Sequence, residues 1–333
     1  MLDTLIETPD NPTPEDAVCG QFKTSDGKLL RYALFPAEAE HRGTIVMLHG
    51  RNESIEKYFE TARELAARGF ASATFDWRGQ GGSERMLKNP ARGYVDNFKS
   101  YVTDLDDFFR QVALPDCRGP FYVLAHSTGA LVALLGHAKL VNRVKRMVLC
   151  APFLGLADQP MSAGQVRFLA NLFCLVGLGR IYMGSGPKPP ELKPFARNRL
   201  TSDPARFQRN GTIVSECPLL GLGSPTARWI RAAARAIDRV HRQSHVDSLR
   251  IPALFIAAGA DRVVSTSATE LYASHARCGA LVTIDGARHE ILQEADFYRE
   301  QFWAAFDAFI PGSQEPDPKP DGGKDEALNG SES

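Results

Sequence analysis

Between residues 43 and 151 the chain alternates short, almost wholly apolar runs with longer amphipathic stretches. The runs at 43–48, 70–75, 121–126 and 144–150 show little in–out alternation, the pattern of strands covered on both faces. The stretches at 55–68 and 98–112 have helical periodicity, the first closed by Gly69 as a C-cap. The pattern resumes with strands at 253–258 and 280–284 and ends with a helix at 294–309. This order predicts an α/β fold, a mostly parallel doubly wound sheet with helices on both faces. Before it, residues 20–23 and 29–35 alternate apolar and polar around Ser25-Asp26-Gly27. That is a hairpin signal, and it puts two antiparallel strands at one edge.

The alternation stops between residues 153 and 250, where prolines and glycines cluster at 186–190 and helical stretches lie at 165–176 and 226–241. This segment reads as an inserted, mostly helical cap on a core made of 19–152 and 251–311. Residues 1–18 are acidic and broken by prolines, and read as a flexible leader. Residues 312–333 have almost no apolar side chains and read as a disordered acidic tail.

Composition narrows the partners. The 333 residues carry 39 basic and 39 acidic side chains, so nothing points to nucleic acid. No basic segment leads into an apolar one at the N-terminus, so no secretory signal is read. No apolar run reaches the ~18–20 residues of a membrane span. Six scattered cysteines without a C-x-x-C pair suggest free thiols in a reducing, cytoplasmic setting. Neither they nor the eight histidines cluster as metal ligands would. Residues 191–250 hold 11 Lys and Arg against 5 Asp and Glu. A solvated helical face accounts for that excess; peripheral contact of the cap with anionic lipid at the inner membrane face is the sharper alternative.

The candidate chemistry starts at Phe121–His126, a buried strand running into Ser127-Thr128-Gly129 and then into an Ala/Leu-rich helix. Ala125 and Gly129 flank the serine at two residues on each side, giving A-x-S-x-G, a variant of the G-x-S-x-G nucleophile elbow. A buried N-cap serine would look the same locally. A serine hydroxyl needs a base, and the base needs an orienting carboxylate. In a doubly wound sheet these groups lie just past the carboxyl ends of strands. Asp261 follows the strand 253–258, and His289 follows the strand 280–284. The order Ser127, Asp261, His289 is that of an α/β-hydrolase triad.

Rivals fit less well. Asp285 shares the loop of His289, Glu290 is its neighbour, and Asp76 is better placed to order the Gly-rich loop 78–83. His126 is inside the elbow, and His49 reads as support for a loop that lends a backbone amide. An acyl-transfer site needs two such donors. The N–H of Thr128 is one; the other comes from the His49-Gly50-Arg51 loop, with Arg51 favoured over Asn52.

The motifs HGRNES (49–54), FDWRGQGGSER (75–85), AHSTG (125–129), GADRVV (259–264) and GARHEILQE (286–294) resemble the α/β-hydrolases of the lysophospholipase and monoacylglycerol lipase group, bacterial lysophospholipase-like members above all. The resemblance spans residues 20–310. It implies an α/β-hydrolase fold, Ser127 as nucleophile, Asp261 as acid, His289 as base and Arg51 and Thr128 as oxyanion amides, with no metal or organic cofactor. The expected reaction is hydrolysis of a single-chain acyl lipid through an acyl-enzyme. The apolar stretch 168–179 is the candidate acyl-chain wall, or else cap core. A carboxylesterase or acyltransferase acting on a small non-lipid substrate, and a non-catalytic binding protein on the same fold, are the alternatives.

Overall fold

The computed structural model describes residues 1–38, 41–157 and 161–312. Its centre is one eight-stranded sheet in the order β1-β2-β4-β3-β5-β6-β7-β8. The strands are β1 (Val18–Lys23), β2 (Leu29–Phe35), β3 (Gly43–Leu48), β4 (Phe70–Phe75), β5 (Phe121–His126), β6 (Val144–Cys150), β7 (Ala253–Ala258) and β8 (Gly279–Ile284). The hairpin β1–β2 is antiparallel and lies at one edge, and β2 meets β4 antiparallel. From β4 to β8 every pairing is parallel.

The continuous apolar runs explain this layering. All six residues of β3, β5 and β7 are buried, as central strands with helices on both sides must be. Successive side chains point to opposite faces. Ile45 and Met47 therefore join one core with Phe59, Phe70 and Phe302, whereas Val46 and Leu48 join the other with Phe108, Leu131 and Trp229. Each such side chain contributes about 1.5–3 kcal/mol by leaving water.

Two local departures from the expected pattern have visible causes. The helix expected over 55–68 begins as a 3₁₀ turn, Ile55–Tyr58, before Phe59–Ala67. The Ile55 N–H donates to Asp76 Oδ1 at 3.1 Å, and Glu56 points inward at Arg31. Gly69 does close the helix, at φ 81°. The residues read as a flexible leader are tied down instead. Leu2 N–H donates to Gly82 O, Ile6 N–H to Glu56 Oε1, and the Asn11 side-chain amide to Glu56 O. Buried polar groups of the core reach out to this stretch, which its proline-broken composition does not betray. The expected acidic tail lies, beyond Gly312, outside the described residues.

Between β6 and β7 the alternation gives way to three longer helices, Ala163–Leu175, Pro204–Glu216 and Ala227–Val240. They fall in the segment expected to form a cap. Trp229 anchors it: its ring packs 5.5 Å from Phe98 and is stacked 6.0 Å from Phe153.

Beneath the loops at the strand ends sits a fully buried ion cluster. Arg31 Nη1 lies 2.7 Å from Glu56 Oε1, and Nη2 lies 2.6 Å from Asp76 Oδ2. Burial works against the Asp76 carboxylate, but Arg31, His49 and the Gly82 amide outweigh it and hold its pKa at about 2. Removing one member of such a cluster leaves uncompensated charge. We expect Arg31→Ala to lower the unfolding free energy by about 3–5 kcal/mol, read from the urea midpoint at neutral pH. A loss below about 1 kcal/mol would mean that water replaces the guanidinium.

Candidate active site

Ser127 sits between β5 and the helix Thr128–Leu135 at φ 50°, ψ −112°, a backbone region that side chains rarely adopt. Its N–H donates to Cys150 O at 3.0 Å, and its carbonyl accepts from Leu131 and Phe153 at 3.1 Å each. The turn is thus clamped from the next strand and from the cap side. A Cβ on Gly129 would lie 2.2 Å from Leu48 O and 2.8 Å from His49 O, so only glycine fits there. Ala125, the departure at the first small position, is fully buried in the core with its methyl accommodated.

Three side chains chosen from distant strand ends meet at this turn. His289 Nε2 is 3.0 Å from Ser127 Oγ, and His289 Nδ1 is 2.7 Å from Asp261 Oδ2. Asp261 Oδ1 accepts from the amides of Val263 and Val264 at 2.7 and 3.0 Å. Burial pushes this carboxyl up, but His289 and the two amides hold it below the usual aspartate value. The other oxygen is left for the imidazole, which fixes the ring and keeps Nε2 facing the serine.

The rivals are engaged elsewhere. Asp285 is exposed. Glu290 pairs with Lys57 at 2.6 Å. Asp76 orders the Gly-rich loop, accepting from Gly82 N at 2.7 Å, and lies 3.3 Å from His49 Nε2. His126 Nδ1 faces Glu53 Oε1 at 3.1 Å, and its Nε2 faces the carbonyl of His289 at 3.1 Å. Both ring nitrogens therefore meet acceptors. Burial opposes the imidazolium, but the Glu53 carboxylate prevails and raises the His126 pKa.

Glu53 and Lys57 are site residues that sequence reading passed over. Glu53 accepts from Gly50 N, from Tyr58 Oη at 2.8 Å and from Lys57 Nζ at 3.3 Å. It thereby ties the His49–Asn52 loop to His126 and, through it, to the backbone of His289. The available signal was the acid at position 53 in HGRNES, four residues before a lysine. In the same loop the Asn52 N–H already donates to Gln80 Oε1 at 3.1 Å. Of the two amides weighed there, Asn52's is taken.

Ser127, His289, Arg51 and Thr128 all border a cavity of about 430 Å³. Its apolar wall comes from Phe153, Leu156, Val166, Trp229, Ile230 and Ile237. The stretch 168–179, expected as acyl-chain wall or cap core, is largely neither. Phe168, Leu175 and Val176 are 67%, 82% and 58% exposed, because the helix Ala163–Leu175 turns its N-terminal end, not its apolar middle, to the cavity. Residues 153–250 meet the loop at several points: both Glu191 oxygens accept from Asn52 Nδ2, at 2.9 and 2.8 Å, Leu222 N–H donates to Asn52 Oδ1, and Arg51 Nη2 donates to the carbonyl of Gly223. Burial lifts Glu191 to a pKa of about 7, against Lys57 and Asn52. A carboxyl whose folded pKa is raised stabilises fully below its unfolded value and loses that contribution as pH climbs through the folded one. Wild-type stability should fall by on the order of 2 kcal/mol between pH 4.5 and 8 relative to Glu191→Gln, measured by urea unfolding at each pH; parallel profiles would contradict it.

Comparisons with known proteins agree with this architecture. Residues 39–296 match the family model described as serine aminopeptidase, S33. The chain is 32% identical to lysophospholipase L2 of Escherichia coli over 286 residues, 84% of this chain and 83% of that one. It is 24% identical to human monoglyceride lipase over 81% of this chain and 82% of that one. Among solved structures, a soluble variant of the Saccharomyces cerevisiae monoglyceride lipase with a substrate analogue superposes with a TM-score of 0.69 at 19% identity, covering 87% of this chain and 94% of that one. A thermostable carboxyl esterase of Bacillus coagulans gives 0.70 at 17% identity, covering 89% and 98%. With a fold of this class and a family match over most of its length, the chain belongs to the serine aminopeptidase S33 family of α/β-hydrolases.

Proposed function

We propose that the protein is a serine ester hydrolase acting on single-chain acyl lipids, a lysophospholipid or a monoacylglycerol. The observation that carries this reading is the Asp261–His289–Ser127 relay, at 2.7 and 3.0 Å, on the floor of a cavity with an apolar wall. His289 Nε2 takes the proton of Ser127 Oγ as the oxygen attacks the ester carbonyl. Asp261 keeps the imidazole oriented and offsets its charge. The backbone N–H groups of Thr128 and Arg51 receive the oxyanion. Collapse of the tetrahedral intermediate expels the alcohol, which His289 protonates. Water then gives its proton to His289 and attacks the acyl-enzyme, releasing the fatty acid and free Ser127. No step draws on a metal or organic cofactor.

Relatives named lysophospholipase L2 and monoglyceride lipase support the choice of lipid. On this reading residues 153–250 are the cap that selects the substrate, on a core of 19–152 and 251–311. The protein works in the cytoplasm, and its cap meets the membrane surface that supplies the lipid. Among the described residues no helix is long and apolar enough to cross a membrane. The exposed Phe168, Leu172, Leu175 and Val176, in the stretch that follows the cavity-lining Ala163–Arg167, support peripheral contact better than the basic excess does. Part of that excess is spent internally, since Arg206 and Arg209 both pair with Glu60.

Hydrolysis of a panel of long-chain lysophospholipids, monoacylglycerols and short p-nitrophenyl esters tests the proposal. Wild type should cleave the long-chain lipids. Ser127→Ala should lose about 10⁵-fold or more in kcat, and Asp261→Asn about 10⁴-fold. Turnover of the short esters alone would favour a carboxylesterase. Full activity in Ser127→Ala would refute the mechanism.

A further inference from the structure

Two charges border the catalytic cavity without a partner of opposite sign among the described residues. The first is the Arg51 guanidinium. Its Nη2 donates to Gly223 O at 2.6 Å and its carbon lies 5.4 Å from the Trp229 ring centre, but its Nε has no hydrogen-bond partner. The second is Glu191, 6% exposed, whose oxygens accept from the neutral amide of Asn52 and which has Lys57 nearby but forms no ion pair among the described residues. The other charges of the wall are matched. Glu53 faces Lys57 and His126, Glu290 faces Lys57, and Arg167 faces Asp238 at 2.7 Å.

A buried charge without a partner is costly and calls for a reason. Burial drags the Arg51 pKa down to about 10 and lifts Glu191 to about 7, so each group is short of countercharge. Glu191 raises the Arg51 pKa without overcoming burial, and the two form no ion pair among the described residues. A ligand carrying both a negative and a positive group in this cavity would satisfy both.

We propose that Arg51 and Glu191 form the head-group site for a zwitterionic lysophospholipid, the guanidinium taking the phosphodiester and the carboxylate the ammonium. This rests on the lipid-ester reading above and adds the residues that choose the head group. The planar guanidinium fork suits phosphate oxygens. Its position suits them as well. The side chain grows from the residue whose amide is assigned to the oxyanion, and in a lysophospholipid the phosphate is a few bonds from the ester. A monoacylglycerol offers neither charge, and a lysophosphatidylglycerol offers only the anion.

The test is kcat/KM for lysophosphatidylethanolamine, lysophosphatidylglycerol and monoacylglycerol of one acyl chain, in a common detergent, for wild type, Arg51→Gln, Arg51→Lys and Glu191→Gln. Arg51→Gln should lower the ratio of each lysophospholipid to monoacylglycerol by about 10-fold or more, the worth of a lost charge-assisted contact. Arg51→Lys should recover part of it. Glu191→Gln should lower the ratio of the ethanolamine to the glycerol lipid by about 5-fold. Parallel losses on all three substrates would reduce both residues to cap supports and overturn the proposal. A wild type that cleaves monoacylglycerol but neither lysophospholipid would overturn it while leaving the hydrolase reading intact. A wild type that cleaves none of the three would overturn both.

Discussion

A non-glycine residue held at φ 50° costs of order 1–3 kcal/mol, and Ser127 is held there from every side. Its N–H is tied to β6, its carbonyl serves the helix that follows and the start of the cap segment, and Gly129 brings that helix onto the backbone of Leu48 and His49. The last contact matters most. It seats the serine turn directly against the loop that follows β3, so the hydroxyl and the loop amides cannot drift apart. The strain is sustained because the sheet on either side is buried and rigid.

Under that loop the chain stores an unusual amount of charge. Arg31, Glu56 and Asp76 form one closed cluster, and Glu53, Lys57, Glu290 and His126 another. Neither contributes a group to the reacting atoms. Both fix backbone: Asp76 holds the Gly-rich loop and the Ile55 turn, and Glu53 holds Gly50. A hydrophobic cluster of equal volume could pack as tightly, but it could not aim backbone N–H groups. On the proposal above, this charged floor positions the site, while Arg51 and Glu191, which form no ion pair among the described residues, select the head group.

Much of this is legible in the sequence. The central strands are readable because burial on both faces leaves nearly uninterrupted apolar runs, and β2, β3, β4, β5, β6 and β7 have the expected limits. Asp261 and His289 stood out because the sheet topology restricts where polar side chains can converge. What could not be read rests on long-range pairing or on the turn of a helix about its axis. Glu53 with His126, Asn52 with Glu191 and Ile6 with Glu56 join residues that have no local signature. The helix Ala163–Leu175 has an apolar middle whatever it faces, and composition alone does not say that this face points outward. The N-terminal stretch misled for the opposite reason. Its polar composition suits a free segment, yet the buried carboxylate of Glu56 and the guanidinium of Arg31 need the backbone groups it brings.

The proposed mechanism depends on Ser127 as the nucleophile that carries the covalent intermediate, activated by His289. The most direct measurement is peptide-resolved mass spectrometry after inactivation with a long-chain fluorophosphonate. One adduct is expected, on the peptide containing Ser127, absent from Ser127→Ala and formed far more slowly in His289→Ala. An adduct on any other residue, or undiminished labelling of Ser127→Ala, would contradict it.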